Sequence, residues 1–216
     1  MDIKALMDLS YGMYVISSKV GDKNVGCFVN TVTQITAENP IICVSVNKLN
    51  YTDEALKTNK KFAISVLSEE TNPSVISKFG FYSSRDVNKF EDFNFEEIND
   101  LPVVKENICG YMICEVINVV ECETHDVFFA RVLDAKKENN IKPMTYSYYH
   151  EVIKGKAPKK APTYVEETEI DEVKVDVEGE EVYVCIVCGY VHKGPMPVDF
   201  KCPVCGVDRT MFKKKK

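Results

Sequence analysis

The chain has 216 residues, with 27 lysines and arginines against 33 acidic side chains, a formal charge of −6. At 45% hydrophobic and 28% charged residues, the composition is that of a globular protein rather than a disordered one. The length allows one good-sized core and at most one small module. Mild acidity argues against a nucleic-acid binder, which would carry a basic stripe. No apolar run reaches the ~18 residues of a membrane span. The start, MDIKALMDLSYGMYVISS, has no signal-peptide cleavage pattern, so a cytoplasmic location is expected. Nine cysteines without a secretion signal then suggest reduced thiols or metal ligands, not a disulfide framework.

In chain order, residues 3–9 are expected to form a short amphipathic helix. β-branched and aromatic runs bounded by polar turns predict strands at 13–17, 25–32, 41–46, 62–67, 111–120 and 127–133. Helices are expected at 53–59, with Thr52 as N-cap, and at 74–79, after Asn72-Pro73. Many medium strands with few helices predict a mainly β fold, a barrel or sandwich of about 150 residues.

Charge divides the chain into three blocks. Residues 1–154 hold 16 basic and 22 acidic side chains, residues 155–181 hold 4 and 9, and residues 182–216 hold 7 and 2. The middle block opens KAPKKAP and runs into an acidic stretch, the composition of an extended, exposed linker. Within it Ile170, Val173, Val175 and Val177 nearly alternate, which allows a strand belonging to the last module.

The most specific motif lies in that last block. Cys185-x-x-Cys188-Gly189 and Cys202-x-x-Cys205-Gly206 are separated by 13 residues. Each pair turns two thiolates toward one centre, and the glycine permits a left-handed backbone beside the sulfurs. Together they make a tetrahedral S₄ cage, suited to zinc or iron. A module of ~35 residues with few large apolar groups needs such a metal to fold. Tyr183, C-x-x-C-G-Tyr190 and C-Pro203-x-C-G resemble rubredoxin, in the compact form found at the end of rubrerythrins. The resemblance implies a single iron held by Cys185, Cys188, Cys202 and Cys205. The basic residues Lys193, Lys201, Arg209 and 213–216 suggest a rim that steers an acidic electron-transfer partner, or simply a solvated tail. The other cysteines, Cys27, Cys43, Cys109, Cys114 and Cys122, lack C-x-x-C spacing. Cys27 and Cys43 read as small buried hydrophobes, and no second metal site is expected.

The large block carries neither G-x-G-x-x-G nor a P-loop, which disfavours a Rossmann domain. Three polar patches interrupt its strands: 30–34 (NTVTQ), 45–52 (SVNKLNYT) and 83–86 (SSRD) with Lys89. Hydroxyls, amides and a lysine at a helix start can cradle one phosphate, as a mononucleotide requires. Each patch alone reads more readily as plain turn chemistry. Their order, together with GMYVIS, VGCFVNTVTQIT, PIICVSVNKLNYT, KFGF and CETHDVFFARV, resembles the flavin reductase-like, FMN-binding split-barrel family over residues 3–150. His125 falls on that family's G-D-H histidine, although Glu123 and Thr124 replace the Gly and Asp.

The resemblance implies a homodimer with FMN near the subunit interface. It puts Asn30, Thr31 and Val32 along the isoalloxazine, and Ser45, Asn47 and Lys48 near the ribityl chain and phosphate. Asn50, Tyr51 and Thr52 would close the phosphate site. Phe79, Gly80, Ser84 and Lys89 would be more distant contacts, and His125 would sit near the ring or a nicotinamide. Tyr146, Tyr148 and Tyr149 would cap the pocket or join the dimer interface. No catalytic acid or base is required.

Nicotinamide delivers electrons in pairs and an Fe(Cys)₄ centre takes them singly; a flavin does both. The expected path is therefore NAD(P)H to FMN to iron to an outside protein. The fusion resembles the high-molecular-weight rubredoxins of anaerobic bacteria, which implies a flavodiiron O₂ or NO reductase as acceptor. Two alternatives stand: a flavin or ferric reductase with structural zinc, and a flavin–rubredoxin shuttle reduced by another protein.

Overall fold

The computed structural model describes residues 3–153, 181–185, 190–203 and 206–214. A 3-10 turn at Ile3–Asp8, tighter than the expected helix, opens the chain. There follow β1 (Tyr14–Val20), β2 (Lys23–Val29), β3 (Val32–Gln34), β4 (Ile41–Asn47), α1 (Tyr51–Asn59), β5 (Lys61–Leu67) and α2 (Pro73–Phe81). A small hairpin, β6 (Phe95–Ile98) and β7 (Leu101–Val104), leads to the long strands β8 (Ile108–Glu121) and β9 (His125–Lys137) and then to α3 (Tyr146–Glu151). Near the C-terminus lie β10 (Val182–Cys185), β11 (Val191–Lys193) and β12 (Phe212–Lys214).

Seven strands form one antiparallel sheet in the order β2-β1-β5-β8-β9-β4-β3. Its two edges, β2 and β3, are consecutive in sequence, joined only by Asn30 and Thr31. A flat sheet would hold those edges ~29 Å apart, six spacings of ~4.8 Å. The three Cα steps from Val29 to Val32 reach at most ~11 Å. The sheet therefore has to curl until its edges meet. No ladder joins β2 to β3 among the described residues, so the barrel stays split at this seam. The expected strand over 25–32 is thus two strands, broken at Asn30-Thr31 because its halves serve opposite edges.

Side-chain alternation sorts the strands into two layers of packing. Ile16, Cys27, Ile42, Val44, Val46, Phe62, Ile64, Phe128 and Ala130 fill the barrel interior with Leu56 of α1. On the outer side of β1, β5 and β8, Val15, Ala63 and Ile113 pack with Val75, Ile76 and Phe79 of α2, Leu101, Val103 and Val104 of β7, and Tyr149 of α3. The backbone amide of Val104 donates to Ser65 Oγ at 3.1 Å, and the Ser17 hydroxyl donates to Pro102 O, which fastens the hairpin across β1 and β5. β4 and β9 are different: their inner residues are buried, while Ile41, Cys43, Ser45 and Asn47, and Val127 and Phe129, remain half-exposed on the outer face.

Local chemistry sets the helix ends. Asn72 accepts from the Ser74 amide with Pro73 in the first turn, as expected. α1 starts two residues earlier than expected: Asn50 is the N-cap, and Thr52 is buried inside the first turn. Lys60, in the left-handed region at φ 60, ends it. The hairpin β6–β7 and helix α3 were not among the expected elements. No helix among the described residues is long and apolar enough to cross a membrane.

The close crossing of β8 and β9 depends on Gly110. A Cβ there would lie 2.4 Å from the Lys136 backbone carbonyl oxygen, a contact that no rotamer change relieves. Gly110→Ala is expected to cost roughly 1–3 kcal/mol and to lower the midpoint by roughly 2–10 °C. A thermal melt of the variant beside the parent chain checks this.

Candidate functional site

The seam residues and the outer face of β4–β9 come together at one end of the barrel. Thr31 Oγ1 donates to Ser45 O at 2.9 Å and accepts from Ser45 N at 3.3 Å, holding the β2–β3 junction against β4. Ser45 pairs with Val127 and Asn47 with His125, so these side chains share the outer face. Asn30 is 3% exposed. Val32 pairs with Val44 and packs toward the barrel interior, so only its backbone faces outward with Thr31.

The β4–α1 turn carries the second polar patch. Asn47 Oδ1 accepts from Leu49 N at 2.9 Å, and Asn47 O accepts from Asn50 N at 2.8 Å. Lys48 N donates to Thr124 O at 3.0 Å, tying the turn to the start of β9. Asn50 has no side-chain capping bond; the Asp53 amide bonds Asn50 O at 3.0 Å, and the Tyr51 and Thr52 amides ahead of it form the helix start, where an anion is favoured. Thr124 Oγ1 and His125 Nδ1 lie 2.8 Å apart. Thr52 is buried and faces the Cys27 thiol rather than the turn.

The third patch sits differently. Phe79 packs edge-on to Phe90 in the outer core, and Gly80 follows it on α2. Ser84 Oγ bonds both Gly26 N and Gly26 O at 3.1 Å. Lys89, 2% exposed, donates to Gly26 O at 2.8 Å and Phe79 O at 3.1 Å. These bonds clamp the middle of β2 from behind. Arg85, in contrast, reaches α1: its guanidinium lies 4.3 Å from the Tyr51 ring centroid and pairs with Glu54 at 2.6 Å. Lys23 Nζ approaches the same ring at 5.9 Å. Arg85 falls in the third patch but was given no role there, and Lys23 was missed, because their approach to Tyr51 depends on tertiary packing.

A second missed group lies beneath the sheet. Asp126 is fully buried, and Lys57 of α1 bridges it to Asp53, with Lys57 Nζ–Asp53 Oδ2 at 2.8 Å. Lys48 Nζ stands 3.7 Å from Asp126 and 3.6 Å from Glu121. Burial pushes the Asp126 carboxyl up, but the Lys57 ammonium more than offsets this and holds it below the usual range. Burial keeps Asp53 above that range.

Of the remaining thiols, burial pushes Cys27 up to about 11 and Cys114 to about 12, which makes both unreactive. Cys43 is half-buried on the outer face of β4, unlike the fully buried position expected for it. Tyr146, Tyr148 and Tyr149 form α3, with Tyr149 buried in the outer core and Tyr146 edge-on to Tyr11.

Near the C-terminus, β10 is the centre of a three-stranded sheet. Cys185 N donates to Tyr190 O at 2.8 Å, and Cys202 N donates to Val207 O at 2.8 Å. The two loops thus repeat one bond, from the first cysteine to the residue five later. Gly206, at φ 70, takes the left-handed conformation that its loop needs. Cys185 and Cys202 are buried, 1% and 2% exposed. Tyr190, Phe200, Phe212 and His192 supply the aromatic packing. Cys188, Cys205 and the possible strand at 170–177 lie outside the described residues. Buried thiols in two matched loops suit a tetrahedral S₄ metal. Lys193, Lys201, Arg209 and Lys213 are exposed, while Lys214 pairs with Glu181 at 2.5 Å.

Residues 6–155 match the flavin reductase like domain, and residues 183–213 match the rubrerythrin, rubredoxin-like domain. A high molecular weight rubredoxin of Moorella thermoacetica is 36% identical, over 99% of this chain and 100% of its own length. A ferric-chelate reductase (NAD(P)H) of Archaeoglobus fulgidus is 32% identical, over 77% of this chain and 99% of its own. Among solved structures, the styrene monooxygenase flavin reductase of Pseudomonas putida superposes with a TM-score of 0.58 at 24% identity, covering 66% of this chain and 89% of that one. With its split seven-stranded barrel and paired cysteine loops, the chain belongs to the flavin reductase-like family and carries a rubredoxin-like domain at its C-terminal end.

Proposed function

We propose that this protein is an NAD(P)H-dependent oxidoreductase that passes electrons through FMN to an Fe(Cys)₄ centre and on to an acceptor protein. The observation that carries the proposal is the joint presence, in one chain, of an anion-favouring helix start beside a polar sheet face and of two matched cysteine loops. The Archaeoglobus relative, named for its use of NAD(P)H, supports the donor. The Moorella relative supports the pairing of the two domains along the whole chain. Matched spans at 6–155 and 183–213 support a division into a flavin domain at 1–154, a connecting segment at 155–181 and a metal module at 182–216.

FMN in this site supplies the conversion of a two-electron hydride donor into single electrons. The chain's residues bind and orient it. Asn30, Thr31 and the Val32 backbone border its ring at the seam. Ser45 and Asn47 offer polar groups along β4, with His125 beside Asn47. Lys48 and the first amides of α1 after Asn50, with Tyr51 and Thr52 in the first turn, hold the phosphate. Phe79, Gly80, Ser84 and Lys89 enter as the support that fixes β2 behind the site. Cys185, Cys188, Cys202 and Cys205 hold the iron, and their buried surroundings favour a thiolate-bound metal over free thiols.

The outer face of β4–β9 suggests how the site is completed. Ile35, Ile117, Val120 and Leu133 are exposed apolar residues, and Val120 pairs with Val127 of this face. A second copy covering them makes a homodimer and shields a flavin lying on the same face. The acceptor is a redox protein reached through the exposed basic rim of the metal module, with a flavodiiron protein as the proposed partner.

Protein purified without oxygen is expected to show both flavin and iron–thiolate absorption, with roughly one iron per chain. Metal analysis that finds zinc and no iron overturns the electron-transfer path. Cys202→Ser is expected to abolish the iron–thiolate bands and leave the flavin bands intact. In stopped-flow mixing, NADH or NADPH is expected to bleach the flavin in this variant as fast as in the parent chain. Failure of both donors to bleach the parent chain favours a shuttle reduced by another protein.

A further inference from the structure

Asp126 departs from the pattern of its own strand. Along β9 the inward positions are 126, 128 and 130, and the latter two hold Phe128 and Ala130 of the barrel core. A carboxylate at the first of them is 0% exposed. Burying a charge is costly unless it is paired, and Asp126 is paired to a different element on each side. Lys57 joins it to α1, where Asp53 lies 2.8 Å from the same ammonium. Lys48, at the end of β4, stands 3.7 Å away, and shares Glu121 of β8 at 3.6 Å. His125, the preceding residue in the strand, faces the opposite side of the sheet beside Asn47. The groups facing Asp126 are therefore Lys48, Asp53, Lys57 and Glu121, contributed by the β4–α1 turn, α1 and β8.

We propose that Asp126 is a positioning residue for flavin binding: through Lys57 it fixes the start of α1 against the sheet, at the separation from the end of β4 that a mononucleotide phosphate and ribityl chain require. The inference rests on the reading of this end of the barrel as the FMN site. Its logic is geometric. The first amides of α1 follow Asn50, and the polar face of β4 ends at Asn47, so any sliding of α1 along the sheet changes the spacing between them. Lys57 lies on the same helix, between one and two turns from those amides, and its bridge to Asp126 opposes that sliding. Lys48 is held by charges 3.6–3.7 Å away, beyond direct hydrogen-bonding distance, so it remains able to turn toward an arriving phosphate.

Positioning and simple electrostatics make opposite forecasts. Asp126→Asn removes a negative charge near the phosphate, which by charge alone strengthens FMN binding. Lys57→Met removes a positive charge, which by charge alone weakens it. If the bridge positions α1, both substitutions weaken binding, by roughly tenfold or more, and the double variant is no worse than the poorer single one. The full chain, iron-loaded and stripped of flavin, is titrated with FMN by calorimetry for all four proteins. At saturating FMN the rate of flavin reduction by NADH is expected to stay within about twofold of the parent.

Shifts of opposite sign, or unchanged affinities, overturn the inference. Should Asp126→Asn or Lys57→Met fail to fold, Lys57→Arg keeps the charge and alters the reach. Weakened binding in that variant supports the bridge, and unchanged binding overturns it. A parent chain that binds no FMN at all overturns the reading of the site itself, a result distinct from equal binding by parent and variants.

Discussion

Two residues, Asn30 and Thr31, connect the opposite edges of a seven-stranded sheet, and the rest of the flavin domain follows from that constraint. A connection of at most ~11 Å cannot bridge a flat sheet, so the strands must coil until β2 and β3 face each other. Closure is incomplete because the junction itself occupies the gap. The backbone there changes direction, and polar groups of Asn30, Thr31 and Ser45 gather where the ladder stops. Thr31 repairs part of the lost pairing by bonding both backbone groups of Ser45. The polar patch therefore arises where the barrel fails to complete its own hydrogen bonding.

The second organising feature is unequal coverage of the sheet. β1, β5 and the first half of β8 are packed on both faces, inside by the barrel core and outside by α2, β7 and α3. β4 and β9 are covered on the inside only. Within one chain their outer face is left half-buried, and it carries Ser45, Asn47 and His125 alongside apolar Val127 and Phe129. A face of mixed character suits a planar, partly apolar ligand better than bulk water. Behind it, the Asp126–Lys57 bridge puts a compensated charge pair where a neighbouring barrel position holds Phe128. Such a pair contributes little net stability compared with a hydrophobic replacement, so its presence is more readily understood as fixing the relative placement of α1 and β9.

The parts of this architecture that were legible in the sequence are those fixed by local chemistry. Paired C-x-x-C-G loops identify themselves because each loop's geometry is set within six residues, and the matching amide bonds of Cys185 and Cys202 realise that local rule. The capping of α2 by Asn72 and Pro73 is local in the same way. What depends on distant partners was hidden. The strand at 25–32 looked continuous because its apolar pattern does not register that the two halves join different edges. Helix α3 is a single aromatic turn capped by Thr145, too short to show a period. The β6–β7 hairpin turns at Asn99 and Asp100, both with positive φ, a recognisable turn pair whose four-residue strands gave too little alternation to stand out. Asn50 displaced Thr52 as the cap of α1 because Thr52 is drawn into the core beside Cys27.

Ser84 and Lys89 show how a correct motif can carry a different physical role. Their residue types fit a phosphate site, yet the hydroxyl and ammonium bond the Gly26 and Phe79 backbone. A lysine that is 2% exposed must find acceptors locally, and the carbonyls of β2 and α2 are the nearest. In contrast Arg85, four residues earlier in the same loop, remains at the surface against Tyr51 at the head of α1. The loop thus separates two tasks that its composition alone does not distinguish: Lys89 holds the edge strand that ends at the seam, and Arg85 adds positive charge beside the helix start. Because the edge strand and the helix start border the same site from two sides, the geometry of that site depends on a residue that never enters it.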